Sequence, residues 1–268
     1  RRLEVANKVS TSLPPPRRAP WLVFFAHGKR RNLHTFVSLS EEKVYVRELE
    51  EMRRSYYHAL AQYGNWLFMT DLSHSVCFLL NLLSRKKMML PPPPRGSDYI
   101  TDAVITSSPV KGKGPSRRPV ILSYRSDHNV FLFHRMFEGD YKWEMAKCKL
   151  KGGIGCLVRC NGKIYALGGP LMLDSSSNMM RWVEVSGLGD RAFFFGTRFH
   201  GHWGPGMSCS ASAAGIAANC IYFVDGSDHS SILKFDMADK SVSTEMSWPM
   251  VPKPWAEVAW IKCTSPLD

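Results

Sequence analysis

The chain is predicted to be all-β: a β-propeller of roughly five to seven small antiparallel blades. Three observations predict it. Asn219 to Val242 reads as a meander of about three short strands, with β-branched and aromatic Ile221, Tyr222, Phe223 and Val224 followed by turn residues Asp225-Gly226-Ser227-Asp228. Its first strand recurs as Asn161-Gly162-Lys163-Ile164-Tyr165, and more loosely at Gly64-Asn65-Trp66-Leu67 and Pro20-Trp21-Leu22. Anchored on Trp21, Trp66, Ile164 and Ile221 the gaps are 45, 98 and 57 residues, the widest leaving room for a further unit around Val120 to Phe133. No such unit can shield its own apolar face, so each implies a neighbour of the same plan.

The elements follow in chain order. Residues 1–19 form a charged, Pro-containing lead-in expected to be irregular, and residues 20–263 form one propeller domain. Trp21 to Phe25 is a buried strand, and Thr35 to Leu39 and Lys43 to Val46 complete the first unit. Glu48 to Ala61 lacks an apolar stripe and reads as loop or a single helical turn. Trp66 to Met69 and Val76 to Leu80 are strands of the second unit, with a turn at Asn81 to Arg85. Lys87 to Leu90 leads into Pro91-Pro92-Pro93-Pro94, a run that donates no backbone hydrogen bonds and suits a connection between blades.

Residues 95–119 hold one strand candidate, Ala103 to Ile105, and otherwise read as a flexible loop. Val120 to Tyr124, Val130 to His134 and Lys142 to Met145 form the third unit. Gly152 to Gly169 carries two strands of the fourth, with Trp182 to Val185 as its outer strand. Ala192 to Phe195 precedes a His/Gly-rich loop, after which the meander begins. The tail, Trp255 to Cys263, alternates apolar and polar residues and is expected to pair with an early strand and so close the ring. Trp21, Trp66, Trp143, Trp182, Tyr165, Tyr222 and Phe223 are expected to be core between stacked blades.

Composition narrows the function. With 44% apolar side chains in 268 residues a large core is available, and no apolar run reaches the ~20 residues that span a bilayer. Neither a membrane partner nor a secretory signal is expected. The chain begins without Met, as the later part of a longer product would. Seven scattered cysteines, in strand-like runs, read as free buried thiols of a reducing compartment. The expected location is therefore cytoplasmic or nuclear.

The net charge of +12 is half carried by residues 1–54 and otherwise concentrated at Arg85-Lys86-Lys87 and Lys111 to Arg118. With no nucleic-acid module signature beside it, this charge reads as solvated loop tips, and nucleic acid is not the expected partner.

Several pieces, in this order, carry a family resemblance: Pro20-Trp21-Leu22, Gly64-Asn65-Trp66-Leu67, Asn81-Leu82-Leu83-Ser84 with Leu90-Pro91, Asn161 to Ala166, and Gly215 with Asn219 to Asp225. The chain resembles the plant KIB-type β-propeller family, also catalogued as domain of unknown function 295. The resemblance implies a target-recognition propeller of the F-box proteins, in which an F-box binds a Skp1-type adaptor and the propeller presents a protein to a cullin-based ubiquitin ligase. No Leu/Pro-rich F-box precedes Trp21, so a Skp1-type adaptor is expected as a partner only where an F-box lies upstream. The alternative is a stand-alone or diverged binding propeller without a ligase link. Leu82 and Arg85 also stand where the family's turn has Pro and Gly, which loosens that turn.

Enzyme chemistry finds little footing. Gly206-Met207-Ser208-Cys209-Ser210 lacks the second glycine of a serine elbow, and Lys111-Gly112-Lys113-Gly114 lacks phosphate-loop spacing. Cys156 and Cys160 have no matching second pair for zinc, and His200 with His202 has no third ligand at suitable spacing. Asp225, Asp228, Asp236 and Asp239 occupy turn positions where aspartate is expected without calcium. No cofactor and no metal is expected. Arg198, Phe199, His202 and Trp203 remain as the candidate partner contact, since aromatics beside arginine anchor interfaces.

Overall fold

The computed structural model describes residues 4–10, 14, 19–26, 32–49, 57–71, 75–94, 100–109, 119–125, 130–136, 142–147, 154, 156–167, 171–174, 181–196, 206–224, 231–247 and 255–262. Among them are five sheets of four or five strands, and a single four-residue helix. Ile164 and Ile221 fall in different sheets, as separate blades require. Two compact units emerge from the chain contacts: residues 1–55 with 186–268, and residues 56–185.

In the first unit, sheet I orders β1 (Glu4–Ser10), β4 (Lys43–Glu48), β3 (Leu33–Ser38), β2 (Trp21–Ala26) and β22 (Trp255–Ile261). The C-terminal strand β22 pairs antiparallel with β2, Leu22 opposite Trp260 and Val23 opposite Ala259, as the alternation of the tail predicts. Sheet V orders β18 (Met207–Ser210), β17 (Arg191–Phe195), β19 (Cys220–Val224), β20 (Ser231–Asp236) and β21 (Val242–Ser247). Cys220, Tyr222 and Val224 are buried while Ile221 and Phe223 are half-buried, the period-two pattern of a strand with one face on the core.

Sheets I and V share one apolar core. Phe194 stacks on Tyr222 with centroids 5.2 Å apart and tilts against Trp260 at 4.9 Å. The Trp260 indole N–H donates to the Phe195 carbonyl at 2.9 Å, so the largest ring buries its only polar atom with a partner. On the other side of sheet I, Trp21 meets Phe36 and Tyr45 edge-on.

In the second unit, sheet II runs β5 (Tyr57–Tyr63), β6 (Trp66–Asp71), β7 (Cys77–Asn81), β8 (Lys87–Leu90). Sheet III runs β9 (Ile100–Ile105), β10 (Val120–Arg125), β11 (Val130–Arg135), β12 (Glu144–Lys147). Sheet IV runs β13 (Cys156–Cys160), β14 (Lys163–Leu167), β15 (Leu171–Asp174), β16 (Arg181–Glu184). Both sheets III and IV are simple meanders. The β13–β14 turn has φ of 49° at Asn161 and 76° at Gly162, the two positive values a two-residue type I′ hairpin requires.

Sheets II and III share the core of Phe68, Leu79, Ile121, Leu132 and Trp143, and sheets III and IV that of Val104, Tyr124, Leu157 and Ala166. At this second seam lies a buried carboxylate. Asp102 on β9 accepts from its neighbour Ala103 N–H at 2.7 Å and from Leu157 N–H on β13. Desolvation holds this carboxyl well above the usual carboxylate range, and the Cys156 thiol beside it is likewise pushed up by burial.

Four expectations are corrected. The lead-in contains β1, which pairs parallel with the edge of β4, because an edge strand needs only one hydrogen-bonded side and tolerates the polar sequence EVANKVS. The stretch read as loop from Glu48 to Ala61 ends in β5, whose Ala59 and Ala61 are buried. The His/Gly-rich loop ends in β18 and the helix α1 (Ala211–Ala214). That detour lets β17 and β19 lie parallel, and with β1 parallel to β4 neither sheet I nor sheet V is wholly antiparallel. Two core expectations are met only in part: Trp21, Trp66, Trp143 and Tyr222 are buried, whereas Tyr165 and Phe223 are half-buried, and the Trp182 side chain lies outside what the structure describes.

Candidate interaction surface

Arg198, Phe199, His202 and Trp203 lie outside the described residues, as do His200, Asp225, Asp228 and Lys111 to Arg118. Other readings can be placed. Asp236 accepts from Ala238 N–H and Asp239 from Ser241 N–H, each at 2.8 Å, so both carboxylates serve turns. Among the described residues no group of three His, Cys, Asp or Glu is gathered as a metal would need. Cys77, Cys156, Cys160 and Cys220 are free thiols, and they and Cys209 are buried. Burial pushes the Cys77 thiol up to about 11, which keeps it protonated and unreactive. Met207-Ser208-Cys209-Ser210 is strand β18 and makes no nucleophile elbow.

The β7–β8 hairpin of sheet II presents a surface on which cations and apolar side chains are exposed together. Its inner strand is wholly buried from Cys77 to Leu80, which fixes the hairpin against the core. At its tip the Asn81 side-chain carbonyl accepts from Leu83 N–H at 3.1 Å and Ser84 N–H at 2.9 Å. Asn81 N–H donates to the Lys86 carbonyl at 2.9 Å, and Leu82 N–H to Asn65 across the neighbouring turn at 2.8 Å. Arg85 then takes the left-handed conformation, φ 58°, where glycine would be unstrained.

The result is a rigid tip presenting Leu83, Ser84, Arg85, Lys86 and Lys87 to solvent. Strand alternation sends Leu90 into the core and Met89 outward, where it is 65% exposed, and Leu83 is 41% exposed. Lys87 Nζ sits 5.2 Å from the Phe78 ring centroid, holding that cation over the hairpin. The exit from β8 is pinned as well. The Trp143 indole N–H donates to the Pro91 carbonyl at 2.9 Å, bonding the proline run to the base of β12. Among the described residues β8 has β7 as its one sheet neighbour, the position of an edge strand.

The unit that carries this hairpin is net positive. Residues 56–185 carry 17 Lys/Arg against 9 Asp/Glu, so eight of the net +12 charges belong to the second unit. The Arg85-Lys86-Lys87 cluster is legible in sequence, but Leu83 and Met89 are not singled out there. The run Lys87-Met88-Met89-Leu90 does not alternate in sequence, and only its burial pattern separates the outward Met89 from Met88 and Leu90.

Comparison with known proteins identifies the fold family. The KIB1-4 beta-propeller family model matches residues 36–170 and 171–243. The chain belongs to the KIB1-4 β-propeller family. A stretch of 77 residues, 29% of this chain, is 32% identical to a probable F-box protein of Arabidopsis thaliana, of which it spans 19%. Looser likenesses exist among solved structures. The WD40 domain of SCAP from fission yeast aligns over 88% of this chain and 54% of its own length, at 12% identity and a TM-score of 0.33. AztD of Citrobacter koseri aligns over 92% and 100%, at 10% identity and a TM-score of 0.34. Alignments so loose carry nothing about function.

KIB1-4 propellers are thus the frame for the five sheets, and an interaction surface is the kind of site such a scaffold offers. No helix among the described residues is long and apolar enough to cross a membrane.

Proposed function

We propose that this chain is the target-recognition propeller of a plant F-box-type protein, a non-enzymatic module that holds a protein for cullin-type ubiquitin ligation. The observation that carries the reading is membership of the KIB1-4 β-propeller family together with the 77-residue similarity to a probable F-box protein. Target binding would use exposed surfaces on rigid sheets, such as the β7–β8 hairpin, while a separate F-box in the longer product recruits the Skp1-type adaptor. No covalent step is assigned to these residues. Free buried thiols fit a cytosolic or nuclear site of action.

The test is adaptor capture, comparing residues 1–268 with the full gene product. The full product is expected to retain a Skp1-type adaptor and to support ubiquitylation of whatever protein the propeller binds, with residues 1–268 retaining target but not adaptor. Adaptor binding by residues 1–268 alone at full affinity would contradict this division of labour. A full product that binds protein targets without adaptor or ubiquitylation would instead identify a stand-alone binding propeller.

A further inference from the structure

We propose that the outer edge of sheet II, formed by the β7–β8 hairpin and strand β8, is a docking site for an extended acidic peptide segment carrying bulky apolar residues. The proposal rests on the reading of this chain as a protein-binding module and names the chemistry of a partner segment for one of its surfaces.

Three observations converge on one strip. First, Arg85, Lys86 and Lys87 are consecutive and exposed, on a tip whose backbone is already fixed by the Asn81 hydrogen bonds. A ligand therefore meets cations carried on an ordered backbone, which lowers the ordering entropy lost on binding. Secondly, Leu83 and Met89 flank those cations and are exposed, Met89 for most of its surface, although the rest of the hairpin's apolar side chains are buried or half-buried. Exposed apolar side chains on either side of a cation cluster favour a partner that carries both acidic and apolar residues. Thirdly, β8 is the last strand of its sheet among the described residues, and the Trp143–Pro91 bond holds the chain beyond it in place.

That third observation separates a peptide from the other anionic partners. A lipid headgroup or a nucleic acid answers the charge, but only another peptide strand can satisfy a row of main-chain N–H and C=O groups. Charge complementarity is set by the same unit, where Lys/Arg outnumber Asp/Glu by 17 to 9 over residues 56–185. The partner segment is therefore acidic.

The experiment uses the full chain and a fluorescent peptide of about eight residues, the length of a long strand, alternating glutamate with leucine or valine. Three comparisons are made. Arg85→Glu, Lys86→Glu and Lys87→Glu together are expected to weaken binding about tenfold or more, and L83S/M89S about fivefold. A control that reverses three exposed cations elsewhere in the same unit, K142E/K147E/K163E, is expected to change affinity less than about twofold. A probe N-methylated at alternate residues, which cannot donate to the edge, is expected to lose about tenfold.

Equal losses for the two charge-reversal sets would mean attraction by net charge alone, and would overturn the proposal. Undiminished binding of the N-methylated probe would overturn strand addition. Hairpin-dependent binding to phosphatidylserine vesicles without peptide binding would make the site a membrane contact instead, and binding of neither would remove the site. None of these results touches adaptor capture by the full product, so failure here and failure of the ligase reading are distinguishable.

Discussion

The seam between sheets I and V and the seam between sheets III and IV solve the same problem with different chemistry. The first is closed by rings: Phe194 packs within about 5 Å of both Tyr222 and Trp260, and the Trp260 indole N–H finds a carbonyl. The second packs Val104, Tyr124, Leu157 and Ala166 beside a wholly buried carboxyl group, Asp102, which ties Ala103 on its own strand and Leu157 on the next sheet. Apolar contact tolerates small shifts of one sheet against the other, whereas a hydrogen-bonded carboxylate fixes registry at one point. A propeller can thus vary what lies between its sheets while its strand plan stays the same.

Each seam can be broken separately, and the largest effect belongs to the rings. Trp260→Ala should lower stability by roughly 3–5 kcal/mol, because a cavity opens where sheets I and V meet. Its measure is the midpoint of chemical denaturation.

Asp102→Leu should cost about 2–4 kcal/mol by leaving the Ala103 and Leu157 amides unpaired, whereas Asp102→Asn, which keeps an acceptor, should cost less. The pH dependence sharpens this contrast. Burial raises the folded-state pKa of Asp102 above its unfolded value. Its contribution is therefore fully present below the unfolded value, near 3.9, and is lost as pH rises toward the folded value. Wild type should lose more stability than Asp102→Asn between acid and neutral pH, read as the difference in denaturation midpoints.

The rim of the ring-closed seam gives the opposite sign. Asp190 accepts Ser212 N–H at 2.9 Å and the Ser210 and Ser212 hydroxyls, at the start of α1. Those bonds, in water, hold its carboxyl below the usual range. Its contribution is present above the unfolded pKa and declines as pH falls through the folded one. Asp190→Asn should therefore flatten the acid limb of the stability curve. A steeper acid limb would contradict the assignment.

The smallest effect is at a turn. Asn161-Gly162 suits its positive φ values, but Arg85 does not. Arg85→Gly should stabilise the protein by about 0.5–1 kcal/mol while weakening acidic-peptide binding, a trade that calorimetry and peptide titration would both register.

These elements also show how far the sequence could be read. The repeating Asn-Gly/Ile-Tyr strands and the alternating tail were legible because a half-buried strand imposes period two and a tight turn imposes its residues. Strands β1 and β5 were not, since β1 is an edge strand whose pairing needs no apolar pattern, and the alanines of β5 carry a weak β signal. The parallel β17–β19 pair depends on the detour through β18 and α1, which no local pattern specifies. At the candidate surface the three cations were visible, but the outward turn of Met89 follows from which face of β8 meets the core.

Hydrogen exchange of the amides in β2 and β22 tests most directly whether the chain closes on itself. Closure predicts that the β22 amides paired to β2 between Val258 and Ile261 are protected to the same degree as those of β2 and β3, and that they open together. Exchange of β22 at the rate of a frayed terminus, with β2 and β3 still protected, would contradict it.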